Sequence, residues 1–193
     1  MNQKELIFPP LKQLQAELER EKYKQKRRSS LYKALVILII AAALTILMAS
    51  RWMPILQIYG TSMTPTLSEG QIVVTVKTDN FRQGVIIAFY YENRLLVKRF
   101  IAGGASWVDI MDDGKVFVDE ELVDEPYIEE PSKGNCNIEL PYQVPEGRFF
   151  VMGDHRATSL DSRSTALGCV SEEQIAGKVI FCIWPVSEFG RIE

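Results

Sequence analysis

The sequence predicts a mainly β fold: a single β-domain outside the membrane, carried on one N-terminal transmembrane helix. Three observations lead there. Ala34 to Ser50 is a run of seventeen residues without a charge, ALVILIIAAALTILMAS, bracketed by Lys33 and Arg51. After Pro54 the continuous apolar run gives way to short segments rich in Val, Ile, Phe and Tyr, separated by turn residues. The charge is also divided, with nine Lys/Arg against four Asp/Glu in residues 1–33 and thirteen against twenty-one in the remainder.

Residues 1–30 read as a basic cytosolic segment. Leu11, Leu14 and Leu18 stand among many charges there, which fits a short amphipathic helix and equally a solvated tail. Residues 31–53 read as the membrane helix. Seventeen uncharged residues extend about 26 Å as a helix, slightly short of a hydrocarbon core of about 30 Å. Lys33 and Arg51 can snorkel past the ends, and Tyr32 and Trp52 stand where interfacial aromatics belong. Lys22, Lys24, Lys26, Arg27, Arg28 and Lys33 precede the run with only Glu21 against them, so the N-terminus is expected in the cytoplasm. The apolar stretch is too long for a cleavable leader, and LMASRW after it lacks small residues at both cleavage positions, so an uncleaved anchor is expected.

Residues 54–193 form the extracytoplasmic domain. Strands are expected over 71–77, 85–91, 95–101, 115–118, 149–152 and 177–184, with tight connections at Glu92-Asn93-Arg94 and Asp112-Asp113-Gly114. Residues 123–145, rich in Pro, Glu and Asn, read as a long surface excursion, and Ser171-Glu172-Glu173-Gln174 as one short helical turn.

Composition narrows the function. No G-x-x-x-x-G-K-[ST] or G-x-G-x-x-G occurs, so no nucleotide site is expected. The acidic domain does not read as a nucleic-acid binder. One histidine, His155, leaves little for a zinc site, and no metal or cofactor is expected. Cys136, Cys169 and Cys182 are too few for a disulfide scaffold and cannot all pair internally. Cys182, inside the apolar run Ile180 to Trp184, reads as a small buried hydrophobe.

Three segments carry possible chemistry. In Tyr59-Gly60-Thr61-Ser62-Met63-Thr64-Pro65-Thr66-Leu67, a serine lies between a glycine-bearing turn and a rigid Thr-Pro step that can hold its hydroxyl at a defined, exposed spot. In Leu95 to Ile101, strand alternation puts Lys98 on one face with Leu96 and Phe100, and Arg99 on the other. Apolar flanks desolvate the ammonium and lower its pKa, as a lysine general base requires. Bringing it from about 10.4 to about 8 needs about 3 kcal/mol. By itself the segment also fits an edge lysine that blocks aggregation. Met152-Gly153-Asp154-His155-Arg156-Ala157-Thr158-Ser159-Leu160-Asp161-Ser162-Arg163 alternates charges and suits either an ion-paired scaffold or a solvated loop.

Together and in this order, the three segments resemble the type I signal peptidases, membrane-bound serine proteases with a serine–lysine dyad, and the single span, instead of two, resembles the short form typical of Gram-positive bacteria. Ser62-Met63-x-Pro65-Thr66-Leu67 resembles the family's nucleophile motif and Lys98-Arg99 its lysine motif. Gly153-Asp154-x-Arg156-x-x-Ser159-x-Asp161-Ser162-Arg163 resembles the third motif, and Gly177-Lys178-Val179 with Trp184-Pro185 its closing strand. The resemblance implies a β fold shared with the self-cleaving repressor proteases and an endopeptidase that cuts signal peptides from preproteins after a small residue. In that scheme Ser62 is the nucleophile and Lys98 its base, with no cofactor. The Ser62 N–H and the turn at Gly60 would stabilise the oxyanion. Ser159 would hydrogen-bond Lys98, Asp161 would pair with Arg163, and Asp154 with Arg99. Met63 and Leu67 would line substrate pockets. The expected partners are preprotein signal peptides and the lipid bilayer.

The chain departs from the pattern at His155, where the family usually has Asn, at Ala105-Ser106, where it has Gly-Asp, and at Gly60, where some members carry a hydroxyl donor. Three other readings use the same residues: a Ser–His–Asp triad through His155, a self-cleaving repressor, and an anchored β-domain serving as an inactive binding module. Residues 1–30 are too short to supply the repressors' DNA-binding domain.

Overall fold

The computed structural model describes residues 11–192. Helix α1, Leu11–Trp52, is one continuous element of 42 residues. The helix was expected near Leu31 and begins twenty residues earlier. From Leu11 to Trp52 the sequence contains neither Gly nor Pro and is rich in Leu, Ala, Lys, Glu, Gln and Arg, all strong helix formers. Pro54 ends it, because the residue before a proline is pushed out of the α region. The helix is about 63 Å long, so the basic half continues the rod beyond the apolar run. Gln15–Met48 contains the stretch long and apolar enough to cross a membrane. Leu18, Tyr32 and Trp52 are exposed. The side chains of Leu11 and Leu14, on which the amphipathic reading rested, and of Arg51 lie outside the described residues.

The remainder is β-structure. Its strands are β1 Ile55–Gln57, β2 Ile72–Val76, β3 Ile86–Tyr91, β4 Arg94–Ala102, β5 Trp107–Ile110, β6 Val116–Val118, β7 Glu121–Leu122, β8 Tyr142–Gln143, β9 Arg148–Met152, β10 Val170–Ser171, β11 Ile175–Trp184 and β12 Gly190–Arg191. The main sheet runs β1-β2-β11-β3-β4-β9-β10, with β12 paired to β11, and the smaller runs β7-β6-β5-β8. All pairings are antiparallel. Every strand expected from the sequence is present, and Glu172–Gln174 forms a 3-10 turn. The strands the sequence did not show are two to four residues long, too short for a period-2 pattern to register. One of them corrects the surface excursion. β8 pairs Tyr142 with Val108, and Val123 and Val144 are buried, so the segment is pinned to the smaller sheet at both ends.

The core follows from alternation along β9. Phe149 and Val151 enter a cluster with Ile87, Phe89, Phe100 and Val170. Phe150 and Met152 point the other way, into a cluster with Val108, Ile110, Val116 and Val144 beneath the smaller sheet. Phe150 has no exposed surface, and its replacement by Ala should cost about 3–5 kcal/mol. A third cluster joins Ile58, Met63, Leu67, Val73, Ile86, Val179 and Cys182, so Cys182 is the buried hydrophobe expected. Cys136, Cys169 and Cys182 are all free thiols.

The β3–β4 hairpin positions the site. Its two-residue turn, Glu92-Asn93, sets the register that places Lys98 opposite Ile87 and Arg99 opposite Ile86. On its other edge β4 pairs with β9 only from Arg99 onward, opposite Met152. Leu95 to Lys98 thus lie outside the β9 pairing.

Candidate active site

Ser62 lies in a turn that its neighbours hold rigidly. Gly60 takes φ +79°, a left-handed conformation that glycine adopts without strain. The Thr64 N–H donates to Thr61 O at 3.1 Å and the Leu67 N–H to Met63 O at 2.8 Å. Met63 and Leu67 are 2% and 1% exposed and anchor the turn in the core. Ser62 between them stays half-exposed. Of the two expected pocket residues, Met63 lines the cavity of about 40 Å³ beside Ser62, together with Ile58, Gly60, Leu95 and Val97. Leu67 does not line it. The backbone coils after Ser62, so Leu67 is carried one turn inward and packs only into the core.

Lys98 reaches this turn from β4. Its Nζ is hydrogen-bonded to Ser62 Oγ at 2.6 Å, and the residue is only 4% exposed. Burial lowers its pKa to about 8; Asp161 and Asp154 pull it back up and Arg163 pushes it further down. An amine whose pKa burial brings to about 8, hydrogen-bonded to a hydroxyl, is able to accept that hydroxyl's proton.

Arg99, on the opposite face, donates from Nε to Asp154 Oδ1 at 2.9 Å and from Nη2 to Asp154 Oδ2 at 2.6 Å. Thr66, four residues after Ser62, completes that knot by donating to Asp154 Oδ2 at 2.6 Å. The ring of Tyr127 lies 3.6 Å from the Arg99 guanidinium carbon. Burial and the neighbouring Glu125 carboxylate raise the Tyr127 phenol, so it remains neutral.

The loop after β9 is knotted in the same way. Arg163 grips Asp161 through Nε–Oδ1 and Nη2–Oδ2, both 2.8 Å. Burial raises the Asp161 pKa, but the bonds and charge of Arg163, with the Gly153 N–H, outweigh it and leave the carboxyl below its usual range. Gly153 N–H donates to Asp161 Oδ2 at 2.9 Å. His155 N–H donates to Ser62 O at 3.1 Å, so this loop and the serine turn share a hydrogen bond. The His155 ring instead meets Thr158 Oγ1 at 3.1 Å. No hydrogen bond joins that ring to Ser62 or Lys98, as a triad would require.

The expected bond between Ser159 and Lys98 is not made. Ser159 Oγ is buried; it faces the Asp161 carboxylate, which it helps to keep ionised, and lies so close to Gly153 that a Cβ there would fall 2.2 Å from it. The sequence therefore foresaw the pairs Ser62–Lys98, Arg99–Asp154 and Asp161–Arg163. It missed Thr66, Tyr127 and Glu125, whose carboxylate receives both Nη atoms of Arg156. An isolated aromatic among acidic residues, in a segment without periodicity, was the only available signal for the last two.

Residues 29–184 match the family model described as signal peptidase, peptidase S26. The chain is 32% identical over 186 residues to signal peptidase I of Bacillus licheniformis, covering 90% of this chain and 99% of that protein. Signal peptidase I U of Bacillus subtilis strain 168 is 32% identical over 177 residues, covering 86% and 93%. Signal peptidase IB of Staphylococcus aureus strain COL is 36% identical over 152 residues, covering 68% and 78%. The order of motifs, the mainly β architecture and these matches have one reading: the chain belongs to the S26 signal peptidase family of serine-protease hydrolases.

Proposed function

We propose that this chain removes signal peptides from preproteins after a small residue, at the extracytoplasmic membrane face, with Ser62 as nucleophile and Lys98 as its general base. The observation that carries the proposal is the 2.6 Å contact between Ser62 Oγ and a lysine amine withdrawn from water. Neutral Lys98 accepts the Ser62 proton as Oγ attacks the carbonyl carbon. The resulting ammonium returns a proton to the leaving amine, and water then hydrolyses the acyl-enzyme by the reverse roles. The Ser62 N–H, in the turn opened by Gly60, stabilises the oxyanion.

Leu95 to Lys98, beyond the reach of β9, offer backbone groups to an extended peptide, and the small cavity at Met63 suits a small side chain. The apolar half of α1 supports membrane anchoring, and the basic residues before it support a cytoplasmic N-terminus. Full-length protein in detergent micelles, incubated with a preprotein, should yield a product whose new N-terminus follows a small residue. Ser62→Ala should give none while keeping its circular dichroism and melting midpoint. Cleavage by Ser62→Ala would refute the nucleophile.

A further inference from the structure

Three arginines of the site are almost fully buried: Arg99, Arg156 and Arg163, each 1% exposed. One segment, residues 123–134, touches all of them. Glu125 receives both Nη atoms of Arg156, with Nη1–Oε2 at 3.0 Å. Tyr127 stacks on Arg99. The carbonyls of Ser132 and Lys133 accept from Arg163 Nη1 at 3.3 and 3.0 Å. Gly134 lets the backbone pass this closely, since a Cβ there would fall 2.3 Å from Arg156 O and 2.8 Å from Arg163 Nη1.

Each arginine is a short step from the reacting pair. Arg99 follows Lys98 along β4. Arg156 Nε donates to Gly153 O at 3.1 Å, and the same loop reaches Ser62 O through the His155 N–H. Arg163 holds Asp161, which accepts from Gly153 N–H.

We propose that residues 123–134 form a positioning strap, which through Glu125 on Arg156 and Tyr127 on Arg99 holds the Ser62 turn in register with Lys98. The proposal rests on the Ser62–Lys98 reading above. Glu125 is the carboxylate that pairs with Arg156. Without it the guanidinium is a buried, uncompensated charge that must move toward water, releasing Gly153 O as it goes. Tyr127 presses Arg99 onto Asp154 and so steadies the strand residue next to Lys98. A displacement of about 1 Å between nucleophile and base costs about a hundredfold in rate.

The test measures kcat and KM for a preprotein with full-length protein in micelles, at a temperature where circular dichroism shows each variant folded. Glu125→Gln should lower kcat about ten- to a hundredfold with KM within about twofold of wild type, and Glu125→Asp should recover part of the loss. Tyr127→Leu should also lower kcat, and Tyr127→Phe, which keeps the ring face but loses the bond its hydroxyl donates to Glu125 Oε1 at 3.1 Å, should recover most of the loss. If Glu125→Gln does not fold, the Leu and Phe variants at 127 decide. A folded Glu125→Gln or Tyr127→Leu protein with kcat within about twofold of wild type, or with the loss confined to KM, overturns the strap. Ser62→Ala runs alongside. An active Ser62→Ala overturns the underlying reading, whereas an inactive one beside an unimpaired Tyr127→Leu overturns the strap alone.

Discussion

Arg99 and Asp154 meet through two parallel hydrogen bonds, with the arginine side chain 1% exposed and the carboxylate fully enclosed. The pair ties β4 to the loop after β9 at the residue next to Lys98. Removing one partner strands the other charge out of water, which costs about 3–5 kcal/mol. Asp154→Ala should therefore lower the melting midpoint by roughly 10 °C, read by circular dichroism. A midpoint within 2 °C or so of wild type would show that the pair contributes nothing net.

Gly153 is the point of closest approach between the loop and the serine turn. A Cβ there would lie 2.5 Å from Ser62 O, a backbone atom, as well as 2.2 Å from Ser159 Oγ. Gly153→Ala should displace the Ser62 backbone and lower kcat by about a hundredfold or more. Gly103→Ala is the control, because its Cβ would meet only the Phe100 ring edge at 3.8 Å. Equal activity of the two variants would mean that the turn tolerates displacement.

The backbone of His155, not its ring, reaches the serine turn. His155→Asn keeps the N–H and should retain activity within a few-fold of wild type. His155→Pro removes the N–H that Ser62 O accepts and should be severely impaired. A loss beyond about three orders of magnitude in His155→Asn would restore the triad reading.

These residues also show where sequence reasoning reached and where it stopped. The burial of Lys98 was legible because Leu96 and Phe100 flank it at strand spacing. The pairing of Arg99 with Asp154 and of Arg163 with Asp161 was legible because opposite charges crowd two short motifs. The strap was not, because Glu125 finds Arg156 across 31 residues and nothing periodic links them. Ser159 misled, since its position in the motif says nothing of the rotamer that turns its hydroxyl against Gly153. The start of α1 was left open, because dense charge suits a solvated tail as well as a helix; the structure takes the helical alternative, and Glu, Lys, Gln and Arg are all good helix formers.

Lys98 should set both the pH dependence of the rate and part of the pH dependence of stability. As a base it must be neutral, so kcat/KM should rise with pH on a limb centred near its folded pKa of about 8. In the unfolded chain the amine returns to the ordinary lysine value of about 10.4. The unfolded state therefore holds the proton more tightly, and burial of Lys98 costs stability. That cost is complete below about pH 8, fades between about 8 and 10.4 as the folded amine deprotonates first, and vanishes above. Its full size is about 3 kcal/mol. Lys98→Met should thus be inactive yet at least as stable as wild type at pH 7, and the two midpoints should converge as pH rises toward 10. Lys98→Arg should be inactive as well, since a guanidinium keeps its proton throughout this range. The acid limb of the rate and urea midpoints from pH 6 to 10 decide the matter. A rate independent of pH over that interval, or a Met variant markedly less stable at pH 7, would make Lys98 a structural ion-pair partner and not a base.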